Sequence, residues 1–87
     1  MMIELKLNIP TYSSEKGLPY NWEDGFSIKT EIIENQIQVK ANKAGLISLA
    51  KQLLLLAQDE SPVGCHYHFD EYNSLEGGSK EIIISKI

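Results

Sequence analysis

His66, His68 and Asp70 stand at i, i+2 and i+4 in the run Cys65-His66-Tyr67-His68-Phe69-Asp70. If that run is a strand, all three side chains leave the same face, spaced roughly 6.5–7 Å apart along it. Two histidines at this spacing can share a metal ion, and a nearby carboxylate can complete a catalytic or structural site. The strand by itself falls short of this. Asp70 lies one step beyond His68, so a compact triad needs a residue from a second strand. The preferred reading is therefore a polar outer face without a metal, and no cofactor is expected.

Other groups able to do chemistry fall away on inspection. Cys65 is the only cysteine, so it forms no internal disulfide. Alternation turns it away from His66 and toward the core, which suits an inert thiol better than an activated one. Gly77-Gly78-Ser79-Lys80 resembles the end of a phosphate loop. The rest of that motif is missing and a strand, rather than a helix, follows. Glu71, Glu76 and Glu81 form an acidic group with no evident acid–base pair. No enzyme is expected.

The elements that must hold these residues can be read from periodicity. Ile3, Leu5, Leu7 and Ile9 alternate with Glu4, Lys6 and Asn8, predicting a half-buried strand that Pro10 ends. Residues 11–24 have no periodicity and hold Tyr12, Tyr20 and Trp22, three aromatics in eleven residues. A loop of this length in a small domain is uncommon and often functional. Its aromatics suit anchors of a protein interface, while Trp22 could equally fold back onto the core.

Phe26, Ile28, Thr30 and Ile32 predict a second strand, turned at Glu34-Asn35-Gln36 into a third through Ile37, Val39 and Ala41. Asn42 reads as the N-cap of a helix over residues 43–58. Ser61-Pro62-Val63-Gly64 breaks the chain before the histidine strand, and a last strand is predicted over 80–87. The expected fold is a single α+β domain over residues 1–87, ordered β-β-β-α-β-β, with a mainly antiparallel five-stranded sheet and one helix packed on one face.

At 100° per residue, Leu46, Ile47, Leu49, Ala50, Leu53, Leu54, Leu56 and Ala57 fill one half of the helix. Ser48, Lys51, Gln52 and Gln58 fill the other. The broad apolar half should lie on the sheet. Leu55, alone in the polar arc, should then point outward as a candidate contact of a homodimer or partner. The sheet's far face, with His66, His68 and Asp70, should stay open.

Composition bounds the partners. The chain has 87 residues, 43% of them hydrophobic, with 8 lysines, no arginine and 12 acids, for a net charge of −4. The lack of arginine and the negative balance argue against nucleic acid. All of the excess lies beyond residue 58, where Asp59, Glu60, Asp70, Glu71, Glu76 and Glu81 face only Lys80 and Lys86. That suits a basic protein partner. There is no signal-peptide pattern at the N-terminus and no apolar run near the ~20 residues that span a bilayer. A cytoplasmic protein without membrane attachment is expected.

Three segments occur in order: Asn42-Lys43-Ala44-Gly45-Leu46-Ile47-Ser48-Leu49-Ala50, His66-Tyr67-His68-Phe69-Asp70, and Leu75-Glu76-Gly77-Gly78-Ser79-Lys80-Glu81-Ile82-Ile83-Ile84. Over about residues 41–87 the chain resembles immunity protein family thirty-two. The first half adds nothing to the resemblance. What it implies is an antidote that binds and neutralises a cognate toxin of a bacterial polymorphic toxin system, with no catalytic residues to carry over. The residues that would meet such a partner are Tyr12, Tyr20, Trp22, His66, His68 and Asp70. A small metal-binding or enzymatic domain on His66, His68 and Asp70, or a homodimer through Leu55, are the alternatives.

Overall fold

The computed structural model describes residues 1–87. Four strands and one helix form in the order β1 (Ile28–Ile33), β2 (Gln36–Ala41), α1 (Lys43–Ala57), β3 (His66–Phe69) and β4 (Ile82–Ser85). The expected α+β class and antiparallel pairing hold. The single five-stranded sheet does not: β1 pairs only with β2, and β3 only with β4.

The β1–β2 hairpin closes through Glu34 and Asn35, whose φ values of 51° and 64° are left-handed. That geometry matches the right-handed twist of the flanking strands. It sets Ile33 opposite Gln36 and Ile28 opposite Ala41. One residue later Asn42 caps the helix, its Oδ1 accepting from the Gly45 amide at 2.8 Å. The same oxygen accepts from the Ser27 amide, and its Nδ2 donates to the Gly25 carbonyl. One side chain thus ties the start of α1 to the approach to β1. At the other end, the Lys86 ammonium donates to the carbonyls of Gln58 and Ser61, where a cation suits the helix terminus.

The two sheets are joined by residues 76–80 lying along the free edge of β1. The Glu76 amide donates to the Ile28 carbonyl and the Lys80 amide to that of Thr30. Thr30, fully buried, donates its hydroxyl to the Lys80 carbonyl, and its amide donates to Ser79 Oγ. The chain then runs directly into β4. This contact occupies the edge on which an added N-terminal strand could have paired. Residues 3–9 accordingly form no strand; Ile3 and Leu5 remain about three-quarters exposed (79% and 75%). Their period of two describes which way side chains would point, and supplies no partner for the backbone.

The core is Ile28, Leu56, Tyr67, Phe69 and Leu75, with Leu18, Trp22, Phe26, Ala41, Leu49, Cys65, Ile82 and Ile84 packed around it. Cys65 turns toward this cluster, as alternation requires. The helix, however, is rotated from its expected setting. Its buried residues are Gly45, Ser48, Gln52, Leu55 and Leu56. Leu46, Leu53 and Leu54 are 57%, 45% and 49% exposed, whereas Leu55 is 1% exposed and offers no surface to a second copy.

The cause is the 11–24 loop. Its backbone crosses the helix and needs acceptors for its amides, and the polar arc supplies them. Glu23 donates to Ser48 Oγ at 2.8 Å, Asn21 to Gln52 Oε1 at 3.0 Å, and Tyr12 to Gln58 Oε1 at 3.1 Å. Gln58 Nε2 donates back to the Pro10 carbonyl, and Lys51 pairs with Glu23 at 3.3 Å. The helix is held between the loop on its polar side and the core at Leu49 and Leu56.

Candidate functional site

The molecule offers two candidate sites: the outer face of β3–β4 and the outward side of α1. On the first, antiparallel pairing sets Phe69 opposite Ile82 and His68 opposite Ile83. Continuing that register by one residue brings Glu81 opposite Asp70. His68 Nε2 lies 3.3 Å from Glu81 Oε2 and 3.9 Å from Asp70 Oδ2. The three ligand-capable atoms all fall within 4.8 Å of one another.

The supports of this cluster are local. Asp70 Oδ1 accepts from the amides of Tyr72 and Asn73, closing a turn just past β3. Asn73 returns its amide Nδ2 to the His68 carbonyl, which also accepts from the Tyr20 hydroxyl at 2.9 Å. His66 stands apart: it is exposed, and its Nδ1 lies 3.4 Å from the Gly64 carbonyl. Of the three residues that alternation puts on one face of the strand, the structure groups His68 with Asp70 and adds Glu81 to them, leaving His66 apart. Alternation within one strand could not find Glu81; alternation combined with the register of β4 could.

The loop aromatics occupy a different place. Tyr20 packs edge-on to Tyr67 and Phe69, with ring centres 5.4 and 6.0 Å away. Trp22 stacks on Phe26 at 4.6 Å and meets Phe69 at 5.7 Å. Trp22 therefore folds back onto the core, and Tyr20 forms its partly exposed rim. Tyr12 is half-buried, with its phenol held above the ordinary range by desolvation and by the Cys65 thiol.

Beneath this rim the Tyr67 hydroxyl donates to the Pro19 carbonyl at 2.8 Å. Burial, with Tyr20 nearby, pushes its phenol up to about 12. In the unfolded chain a tyrosine ionises near 10. Below that pH both states are protonated and the contribution to stability is complete. As pH rises from about 10 toward about 12, only the unfolded state releases its proton, so stability should fall. Urea denaturation across this window should show the decline, and Tyr67→Phe should make it shallower; an equal slope in the variant would contradict the assignment.

The outward side of α1 carries Leu46, Ala50, Leu53, Leu54 and Ala57, all exposed. They recur at i, i+4, i+7, i+8 and i+11, a continuous apolar stripe opposite the buried polar arc. Contiguous exposed apolar patches of this kind mark interaction surfaces. Open hollows lie elsewhere, one along Leu7–Pro10 and Asn21, one between Ser27, Lys29, Lys40, Ala41, Asn42 and Glu76. Neither contains a histidine or the Asp70–Glu81 pair. No helix is long and apolar enough to cross a membrane.

No curated protein and no solved structure matches the chain. A family model does: that described as Immunity protein 32 matches residues 36–87, from β2 through the helix and the histidine strand to the end of β4. The match covers more than half of the chain and includes all three segments on which the resemblance rested. The aromatic loop and β1 lie outside it. The chain belongs to the Immunity protein 32 family.

Proposed function

We propose that the protein is an antidote that binds a cognate bacterial toxin in the cytoplasm and neutralises it by masking, without catalysis. Family membership carries this reading. The surface it would use is the outward stripe of α1, Leu46, Ala50, Leu53 and Leu54, which lies within the matched residues and keeps three leucines about half exposed. Tyr20, His66, His68 and Asp70 lie on the separate β3 side and would add contacts to a toxin that reaches both surfaces, while Tyr12 and Trp22 belong to the loop that braces the helix on its polar side. The acidic balance beyond residue 58 favours a basic toxin surface. The same negative balance and the lack of arginine disfavour nucleic acid.

The test is co-expression with the toxin encoded beside its gene, followed by light scattering of the purified mixture. A stoichiometric complex and loss of toxicity are expected. The double substitution Leu53→Asp, Leu54→Asp should weaken that complex at least tenfold, since central apolar contacts dominate interface energies. Both positions are exposed, so the melting temperature of the free protein should hold. A toxin that remains active at equimolar antidote would sink the reading. Unchanged affinity in the double variant would move the interface off the helix, and a shift from dimer to monomer would assign the stripe to self-association.

A further inference from the structure

We propose that His68, Asp70 and Glu81 form a binding site for a divalent first-row transition-metal ion, such as zinc. The site lies on the β3–β4 face, and the proposal stands independently of the toxin-binding reading. Its donors come from three backbone positions: β3, the turn just after it, and the residue that enters β4. Their ligand atoms lie within 4.8 Å of one another. The 3.3 Å between His68 Nε2 and Glu81 Oε2 is already the separation of two ligands that each stand about 2.0–2.2 Å from a common tetrahedral ion. Asp70 Oδ2, at 3.9 Å from the same nitrogen, needs only a small rotation to join them.

The supporting contacts suit a metal site. Asp70 Oδ1 is held by the Tyr72 and Asn73 amides, which leaves Oδ2 as the free oxygen beside the imidazole. Carboxylate ligands are commonly oriented in this way by hydrogen bonds outside the coordination sphere. The backbone carrying the imidazole is fixed as well, through the two donors that converge on the His68 carbonyl, Tyr20 Oη and Asn73 Nδ2.

Charge points the same way. Lysine ion pairs join Lys40 to Glu31 and Lys51 to Glu23, and no lysine lies within 4.0 Å of Asp70 or Glu81. The two carboxylates therefore have the His68 ring, and no lysine, as their ion-pair partner. An imidazole nitrogen with two carboxylates favours zinc, nickel or cobalt over calcium or magnesium, which prefer all-oxygen shells. With His68 and Asp70 partly buried and Glu81 exposed, the remaining coordination positions open to water.

Zinc titration followed through the histidine ring NMR signals tests the proposal, with cobalt absorption reporting coordination. The His68 resonances should shift and saturate at one equivalent while those of His66 stay in place. Glu81→Gln and Asp70→Asn should each weaken binding by about tenfold or more, and His68→Gln should abolish it. Glu81 is exposed and Asp70→Asn keeps the Oδ1 acceptor of the turn, so both variants should retain the parent far-UV spectrum. If His66 and His68 respond alike, or if Glu81→Gln binds as the parent does, the metal is only adsorbing to surface histidines and the site is refuted. Absence of any shift refutes it equally.

Discussion

Gly45→Ala should lower stability by about 2–4 kcal/mol, although alanine is the better helix former. Propensity favours the substitution by less than the ~1 kcal/mol of a helix interior, since residue 45 lies in the first turn. Space opposes it. A Cβ at residue 45 would stand 2.5 Å from the Ser27 carbonyl oxygen, 3.0 Å from Ile28 Cγ1 and 3.1 Å from Ala41 Cβ. The nearest obstacle is backbone, and it cannot rotate aside. That carbonyl also accepts from the Asn42 amide at 3.1 Å, so displacing it disturbs the cap from which the helix starts. Overpacking of this kind costs about 1–3 kcal/mol by itself, and the strained cap adds to it. A thermal melt should show a drop of roughly 10 °C or more, since each kcal/mol shifts a domain of this size by several degrees. A variant as stable as the parent would mean that α1 does not approach β1 so closely.

The second large effect concerns Gln52→Leu, a change that looks favourable on a helical wheel. Gln52 is 1% exposed, accepts from the Asn21 amide and donates to the Ser48 carbonyl at 2.8 Å. Leucine is close in volume and in helix propensity, so neither a cavity nor backbone preference enters. The loss is polar: the part-buried Asn21 amide is left without its acceptor, and an unsatisfied buried donor costs about 1–3 kcal/mol. The freed loop then loses part of its packing around Trp22. A total of about 2–4 kcal/mol is expected by urea denaturation, together with a red shift of Trp22 emission. The opposite exchange one residue along, Leu53→Gln, should stay within about 0.5 kcal/mol because Leu53 is exposed. Should Gln52→Leu prove stabilising, the loop does not draw its hold from the helix.

These two residues also mark where sequence reading succeeds and where it stops. The hairpin turn at Glu34-Asn35, the Asn42 cap and the inward Tyr67 and Phe69 were legible because each depends on neighbours within a few positions. The rotation of α1 was not. A helical wheel assumes that the apolar side seeks the core, yet here a 14-residue loop competes for one side of the helix with backbone amides. The same assumption turns Leu55 outward, whereas it is buried. The N-terminal strand failed on a different count: its pattern is sound, but residues 76–80 already hold the edge of β1. At the β3–β4 face two of the three clustered residues were visible from spacing. Glu81 emerged only once the register between distant segments was known.

Every group on α1 and its C-cap that receives an amide of the 11–24 loop is uncharged: a hydroxyl at Ser48 and carboxamides at Gln52 and Gln58. Acid that protonates carboxylates, or salt that screens charges, finds nothing to act on at these three points. Lys51–Glu23 is the sole ionic element between loop and helix, and its loss leaves those three hydrogen bonds in place. Loop and helix should therefore stay joined through swings in acidity and ionic strength that would loosen an electrostatic fastening, with Trp22 kept on the core throughout.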